Sequence, residues 1–319
     1  MTQSGTAENT AGNPVRRLLV IVNPTAGRGQ SRLLKSVVSE LRPLAAEVSI
    51  RETTAAGDAR RLAAAIEAEE VDAIVVAGGD GTINEAANGL ARNSRPPALG
   101  VIPLGTANVF AVELGLSRDS GRLARILAQA PAGPVYPGRV GGHHFLMMAS
   151  VGFDARVVDG VSLAAKRRFG RLAYVWGALI ELGRNRPQRY RLRCHGEVYD
   201  AAGVIAARGR HYGGGFVIAR GADLARPVFQ VLAPARGGRA AIAAQALALG
   251  LGRFHRLPDL RVLTADRLEI EGATDEPVQA DGDVVGRLPA RLDIAPRPLM
   301  VIGAASPEGS VGGDSEDHR

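Results

Sequence analysis

The chain has 319 residues, of which 46% are hydrophobic and 22% are charged, a composition typical of a globular protein long enough for two domains. Aromatic residues make up only 4%, which argues against a base-stacking surface, so we predict no nucleic-acid partner. The net charge of +7 suits an anionic partner such as a nucleotide or an acidic bilayer surface, although soluble arginine-rich proteins often carry the same excess.

The sequence shows neither a secretory signal nor an apolar run of about eighteen residues, so we predict a cytoplasmic protein without a membrane-spanning helix. Cys194 is the only cysteine, which excludes an internal disulfide and fits a reducing compartment. Because residues 189–195 alternate apolar and polar side chains, Cys194 is interpreted as a strand residue and not as a nucleophile.

The first part of the chain alternates strands with helices. The predicted strands are 17–22, 47–51, 73–76 and 99–102, and the predicted helices are 31–41, 58–69, 82–91, 107–114 and 122–129. Strands separated by helices of this length favour right-handed crossovers onto a parallel sheet. We therefore predict a doubly wound α/β nucleotide-binding domain over residues 16–134, preceded by a disordered tail at 1–15.

From residue 135 the chain changes to short alternating strands separated by glycine and proline. The predicted strands are 145–149, 190–194, 198–207, 229–233, 260–263, 267–271 and 291–295. Two helical insertions, at 162–182 and 239–251, interrupt them. This pattern predicts an antiparallel β-sandwich domain over residues 135–305, followed by a disordered tail at 306–319.

A glycine-rich turn follows the apolar run at residues 72–77. Gly78, Gly79 and Gly81 allow positive φ and a close approach of the backbone to a ligand. Successive N–H groups at the start of a helix attract anions, so the turn predicts a phosphate site. The alternative is a strand-turn-helix connection that needs glycine for its geometry alone.

Three polar residues accompany the glycines of this turn. Thr82 and Glu85 are three residues apart, the spacing of a capping box that would start the helix. Asp80 lies among the glycines, where a carboxylate would either hold a metal ion against phosphates or accept a proton from an attacking hydroxyl.

Two further loops follow predicted strands at the same edge of the sheet. Residues 23–29 read NPTAGRG and follow the first strand. Residues 103–108 read PLGTAN, where Gly105 and Thr106 offer backbone N–H groups and a hydroxyl. Because ligands of open α/β sheets bind at the carboxyl ends of the strands, the three loops together predict a nucleotide site.

These loops resemble the catalytic domain of the diacylglycerol kinase and sphingosine kinase superfamily, in particular its soluble bacterial lipid kinases. The resemblance covers nearly all of residues 16–302, and its motifs occur in order: NPTAGRG, the threonine before GDA, GGDGTINE, PLGTAN, VGFDA, the triple glycine and QADGD. It implies that the protein transfers phosphate from ATP, with Mg²⁺, to a lipid hydroxyl in the cleft between an α/β domain and a β-sandwich.

The resemblance also implies roles for individual residues. The residues assigned to ATP are Asn23, Thr53, Gly78, Gly79, Asp80, Gly81, Thr82, Glu85, Gly105 and Thr106. The family's catalytic carboxylate belongs to an Asp-Gly-Glu motif, which here reads Asp281-Gly282-Asp283, so Asp283 is the expected general base. The alternative for this segment is an Asp-Gly turn in a β-hairpin.

Two departures from the family pattern change the expected metal chemistry. Val109 follows GTAN where the family often has an aspartate, which leaves Asp80 as the catalytic and metal-binding acid of the first domain. Arg226 occupies the position of an aspartate of an accessory magnesium site, so we predict that this site is absent and replaced by an ion pair.

The lipid implies contact with a membrane. The basic segment 166–171, followed by Tyr174 and Trp176, is a candidate anchor for an anionic bilayer surface. The alternative is a solvated basic face with both aromatic rings in the core. The second-domain strands and a helix at 243–251 are candidates for an acyl-chain cleft, and a homodimer is a candidate assembly.

Two other functions fit parts of the sequence. A NAD kinase shares a GGDGT-type loop and a β-rich second domain, although the NPTAGRG and PLGTAN loops speak against it. A non-catalytic nucleotide- or lipid-binding regulator would fit the three departures at Val109, Arg226 and Asp283.

Overall fold

The structure is a computed structural model that describes residues 16–26, 31–162, 171–184 and 188–304. Its first part alternates strands and helices as predicted. The elements are β1 (Arg17–Val22), α1 (Ser31–Leu41), β2 (Glu47–Glu52), α2 (Asp58–Ala64), β3 (Ala73–Gly78), α3 (Asp80–Leu90), β4 (Ala98–Pro103), α4 (Val109–Glu113), α5 (Ser120–Gln129) and β5 (Ala132–Val135).

The second part consists mainly of strands. Its elements are β6 (Gly138–Val140), β7 (His143–Phe145), β8 (Met148–Val151), α6 (Phe153–Gly160), α7 (Arg171–Arg184), β9 (Tyr190–Cys194), β10 (Glu197–Ala201), β11 (Val204–Ala207), β12 (His211–Tyr212), β13 (Phe216–Val217), β14 (Phe229–Pro234), α8 (Arg239–Gly250), β15 (Leu260–Ala265), β16 (Arg267–Glu271), β17 (Pro277–Ala280), β18 (Asp283–Arg287), β19 (Ala290–Ile294) and β20 (Leu299–Ile302).

The first sheet has a core on each face, because its strands are apolar on both sides. Leu19 and Ile21 of β1 pack into one cluster together with α2 and α3, whereas Leu18 and Val20 point to the opposite cluster, which includes α1 and α5. β1, β2, β3 and β4 pair in parallel. The predicted doubly wound α/β domain is therefore confirmed.

The last described strand returns to this first sheet. The sheet order is β2-β1-β3-β4-β20-β5, with β20 parallel to β4 and antiparallel to β5. The chain therefore passes from the first part to the second and back again. The boundary between the two domains, placed between residues 134 and 135 from the sequence, stays a prediction.

The second part is a sandwich of two six-stranded antiparallel sheets, in the orders β10-β9-β16-β19-β6-β7 and β15-β14-β11-β8-β17-β18. Side chains from both sheets share one apolar cluster, in which the rings of Phe145 and Phe229 stack with centroids 5.9 Å apart. Cys194 is a buried residue of β9, as predicted. The predicted β-sandwich with helical insertions is confirmed.

Several predicted element bounds were wrong, because contacts distant in sequence decide them. The helix predicted at 58–69 ends at Ala64, and the N–H of Ala68 donates to the carbonyl of Arg95 instead of continuing it. The strand predicted at 145–149 is interrupted after Phe145, where backbone N–H groups turn toward a carboxylate described below. Helix α6 had no sequence prediction. Among the described helices, none is long and apolar enough to cross a membrane.

Candidate active site

The carboxyl ends of four parallel strands bring the predicted phosphate loops to one edge of the first sheet. Val22 at the end of β1 is in register with Glu52 of β2 and with Ala77 of β3, and Gly78 is in register with Pro103 of β4. The residues that follow these strand ends are therefore neighbours in space. We call this region the phosphate edge.

Close packing explains two of the glycines at the phosphate edge. A Cβ atom placed on Gly105 would lie 2.6 Å from the Cα of Gly79, and one on Gly78 would lie 2.7 Å from the Cβ of Thr82. By contrast, a Cβ on Gly81 would meet no protein atom within 4 Å. Packing thus requires Gly78 and Gly105, whereas the space beside Gly81 is open to a ligand.

Helix α3 starts two residues earlier than predicted. Its N-cap is Gly79, and the first helical bond runs from the N–H of Ile83 to the carbonyl of Gly79. No side chain caps this end, so the predicted capping box of Thr82 and Glu85 was wrong: Glu85 lies in the second turn, partly buried. The uncapped N–H groups leave this helix end suited to an anion.

Asn23 connects the first loop to the glycine turn. Its amide donates to the Oγ1 of Thr82 at 3.0 Å, and its Oδ1 accepts from the backbone N–H and the hydroxyl of Thr25. Thr53 is buried, and its N–H donates to the carbonyl of Val22. Asn23, Thr53 and Thr82 thus hold the phosphate edge together through their polar groups.

Asp80 holds the third loop in place. Its carboxylate accepts from the N–H of Phe110 at 3.2 Å and from other backbone N–H groups at the start of α4. Loss of hydration raises the pKa of Asp80, and the backbone donors oppose that rise. The carboxylate therefore acts as a cap for α4, and Asp80 also lines the cavity described next.

A cavity of about 770 Å³ joins the phosphate edge to the sandwich. Asp80, Gly81 and Thr106 line it from the first part, and residues 281–283 line it from the β17–β18 hairpin. Most of the remaining wall is apolar and comes from α6, α7, α8 and the adjacent strands. The other predicted nucleotide residues lie outside its lining, namely Asn23, Thr53, Gly78, Gly79, Thr82, Glu85 and Gly105.

Asp281 ties the two parts of the molecule together. Its carboxylate accepts from the backbone N–H groups of Leu146, Met147 and Met148 at 2.6 to 3.0 Å, and from the amide of Asn84 at 2.7 Å. This is the carboxylate that interrupts the strand predicted at 145–149. Loss of hydration raises the pKa of Asp281 to about 6, although these donors favour the charged form.

Asp283 lies directly after the turn that Asp281 begins. Asp281 and Gly282 both have positive φ, and Ala280 pairs with Asp283, so the segment is a two-residue hairpin turn. The hairpin alternative from the sequence is therefore correct as local structure. It is also compatible with chemistry, because Asp283 is exposed and lines the cavity.

A polar network behind the hairpin fixes the position of this turn. Gln279 accepts from the N–H of Gly282 at 3.0 Å and donates to Ser150 and Asp154 at 2.7 and 2.9 Å. The hydroxyl of Tyr212 also donates to Asp154. These contacts connect the VGFDA segment to the turn that carries Asp283.

Sequence reasoning did not assign roles to the residues that join the two parts, namely Asn84, Asn88 and Asp281, or to Gln279, which holds the hairpin turn. Asn84 and Asn88 are buried one turn apart on α3, and both donate to the carbonyl of His144. Two amides one turn apart on a largely buried helix were a usable signal, since buried amides require partners.

The loop that contains Arg226 is organised by a different arginine. Arg208 is fully buried and donates to the carbonyls of Tyr136, Leu224 and Val228, with Asp223 nearby as a counter-charge. Burial lowers the pKa of Arg208 to about 10. The guanidinium that organises this loop therefore belongs to Arg208, whereas the ion pair predicted at Arg226 is not formed among the described residues.

The candidate membrane segment is described only in part. Residues 163–170, which include most of the basic segment 166–171, lie outside the described residues. Trp176 is 67% exposed, so the interpretation that placed it in the core was wrong. Tyr174 is partly buried and lines the cavity, with its hydroxyl 3.5 Å from the carbonyl of Gly282.

Comparisons with known proteins agree with this architecture. Residues 17–140 match the family described as "Diacylglycerol kinase catalytic domain", and residues 147–303 match "YegS C-terminal NAD kinase beta sandwich-like domain". A crystal structure of a diacylglycerol kinase from Bacillus anthracis strain Sterne superposes with a TM-score of 0.73 at 25% identity, covering 90% of this chain and 96% of that one.

Relatives found by sequence similarity are also named as diacylglycerol kinases or lipid kinases. A "Diacylglycerol kinase" from Bacillus subtilis strain 168 is 36% identical over 58% of this chain and 62% of its own length, so that alignment spans less than two thirds of the relative. A "Probable lipid kinase YegS-like" protein from Pseudomonas aeruginosa PAO1 is 31% identical over 91% of this chain and 95% of its own length. The chain belongs to the family of bacterial diacylglycerol kinases and YegS-like lipid kinases.

Proposed function

We propose that this protein transfers the γ-phosphoryl group of ATP to a hydroxyl of a diacylglycerol-like or related glycero- or sphingolipid at an anionic membrane surface. The observation that carries the proposal is the cavity of about 770 Å³, which is lined by phosphate-edge residues and Asp283 and for the most part by apolar side chains. A polar reacting end and an apolar remainder match the two ends of a lipid alcohol.

The nucleotide side of the proposal rests on backbone geometry. The uncapped N–H groups at the start of α3 and the open space beside Gly81 fit phosphate oxygens. Asn23 and Thr82 would keep the two loops at a fixed distance, so that the backbone donors are already oriented before the nucleotide binds.

The described residues contain no cluster of three or more histidine, cysteine, aspartate or glutamate side chains that could hold a metal ion. Asp80 is the carboxylate of the phosphate edge that lines the cavity, so it would hold Mg²⁺ together with phosphate oxygens and water. The bound ion would neutralise phosphate charge during transfer. An ion held mainly by the nucleotide fits a phosphate edge that contributes one carboxylate to the cavity lining.

Asp283 would accept the proton of the lipid hydroxyl. The carboxylate of Asp281 already receives four N–H donors, so its oxygens are occupied by the backbone at residues 146–148 and by the amide of Asn84. Asp283 is exposed to the same cavity two residues later. The Gln279 network would hold its turn in place, which aligns the base with the hydroxyl.

Incubation of the purified protein with labelled ATP, Mg²⁺ and vesicles of total lipid extract tests the proposal. We expect one class of lipid to gain a phosphate, identified by mass, and Asp80→Asn to require more Mg²⁺ for the same rate. ATP binding without any labelled lipid would overturn the proposal and favour a regulator. Parallel incubation with NAD separates the NAD kinase alternative, which predicts a phosphorylated dinucleotide and unlabelled vesicles.

A further inference from the structure

Helix α7 presents an apolar stripe to solvent. Leu172, Val175, Trp176, Leu179 and Ile180 follow the spacing i, i+3, i+4, i+7 and i+8, and each is between 44% and 69% exposed. This spacing is the one by which a surface helix normally packs onto a core. Here the opposite side of the helix is the one that contacts the protein, so the stripe is left without a protein partner among the described residues.

Helix α8 extends this surface. The guanidinium of Arg239, at the start of α8, donates to the carbonyl of Leu182 at 3.1 Å and to that of Gly183, which joins it to the end of α7. None of the residues of α8 is buried, and Leu247 and Leu251 are 66% and 60% exposed. We call the α7 stripe together with Leu247 and Leu251 the apolar face.

The cavity reaches the surface beside the apolar face. Val175 of α7 is 57% exposed and also lines the cavity. Ala246 of α8 is likewise exposed and lines it. The same two helices therefore form both the outer apolar face and part of the inner cavity wall, so an acyl chain could pass between the two without crossing water.

The charges around the apolar face are positive. Arg184, Arg236, Arg239 and Arg253 are exposed at the ends of the two helices. The one acidic residue of α7, Glu181, is buried and paired with Arg156 at 2.7 Å, and residues 236–258 contain no aspartate or glutamate. A rim of arginines around apolar side chains matches anionic headgroups above acyl chains. Two such cationic rims would repel each other, which disfavours a second copy of the chain as the partner.

We propose that the apolar face inserts into an anionic lipid bilayer and that the lipid enters the cavity between α7 and α8. This inference rests on the proposed function for the identity of the transferred lipid. The lipid hydroxyl would lie near Asp283, and the acyl chains would lie against α7 and α8.

Trp176 is the only tryptophan of the chain, so its intrinsic fluorescence reports on the apolar face alone. With vesicles of equal parts phosphatidylcholine and phosphatidylglycerol, we expect a blue shift of the emission and quenching by brominated acyl chains. Leu179→Ser should weaken vesicle binding roughly tenfold while leaving the fold intact, because this side chain is exposed. Val198→Ser, on an exposed position of β10, is the matched control and should bind as the unaltered protein does.

An unshifted emission, or equal binding by both variants, would overturn the proposal. A blue shift that depends on protein concentration without vesicles, together with a doubled mass in light scattering, would identify a second copy as the partner and overturn it as well. The result expected if only the proposed kinase function is wrong differs from both of these outcomes. In that case vesicles still shift Trp176, but neither vesicular lipid nor a dispersed short-chain lipid gains phosphate.

Discussion

The phosphate edge and the lipid cavity are built from different parts of the polypeptide. At the phosphate edge the proposed phosphate donors are backbone N–H groups, and side chains such as Asn23 and Asp80 hold loops in position. In the cavity the wall consists of side chains from helices and strands, most of them apolar. A site formed by the backbone should lose stability or ligand binding when even one methyl group is added. A cavity wall formed by side chains should tolerate many substitutions, which would mainly change the size of the ligand that fits.

The largest effect is expected at the junction of the two regions. Asp283→Asn removes the proposed base, so we expect kcat to fall roughly 10²- to 10⁴-fold while ATP binding is kept. Asp275→Asn, at an exposed aspartate before the same hairpin, is the matched control. If both variants turned over lipid at the same rate, the junction would contain no essential base.

The next largest effect is expected on the pH dependence of stability, through Asp281, which contacts Asn84 of the first part. The pKa of Asp281 is raised to about 6 from an ordinary 3.8, so the folded protein binds a proton more tightly than the unfolded chain. The stabilisation from this proton is fully present below pH 3.8 and is lost as the pH rises through about 6. It corresponds to about 3 kcal/mol in the free energy of unfolding.

Asp281→Asn should remove this pH dependence. We expect the difference in unfolding free energy between unaltered protein and variant, measured by urea denaturation, to change between pH 4 and pH 7. Asp275→Asn should leave the curve of the unaltered protein unchanged. Parallel curves for the unaltered protein and Asp281→Asn would mean that the carboxylate titrates normally in the folded state.

Two glycines of the phosphate edge test whether close backbone contact or a bound phosphate requires a residue without a side chain. The Cβ of Gly105→Ala would press on the backbone of Gly79, so we expect a loss of about 1–3 kcal/mol in stability and weaker ATP binding. Gly81→Ala has open space and should retain stability, because alanine is favoured over glycine within a helix. Weaker ATP binding by Gly81→Ala without loss of stability, seen by calorimetry, would support a phosphate beside Gly81. Equal stability of both variants would contradict the argument from close backbone contact.

The smallest effect is expected in the cavity wall. Ala246→Trp would fill part of the cavity at its outer end, so we expect roughly a tenfold lower kcat/KM for long-chain lipids and little change for short-chain ones. Ala244→Trp, exposed on the same helix and absent from the lining, is its control. A drop that did not depend on chain length would assign this cavity to something other than acyl chains.

Some features of this protein follow from the sequence alone, and others depend on the tertiary structure. The sequence alone determined the α/β and β-sandwich fold, the three loops and the Asp-Gly turn, because periodicity and glycine act through local backbone geometry. The start of α3 at Asp80, two residues ahead of its capping-box signal, shows the limit of local rules.

Only the tertiary structure showed which groups surround each carboxylate. The contact between Asn84 and Asp281 spans 197 residues of sequence, and it makes Asp281 an interdomain link instead of a candidate base. The sequence left open whether Trp176 is exposed, and it gave no indication that β20 returns to the first sheet. Such assignments depend on which distant groups meet after packing, and no local pattern encodes that choice.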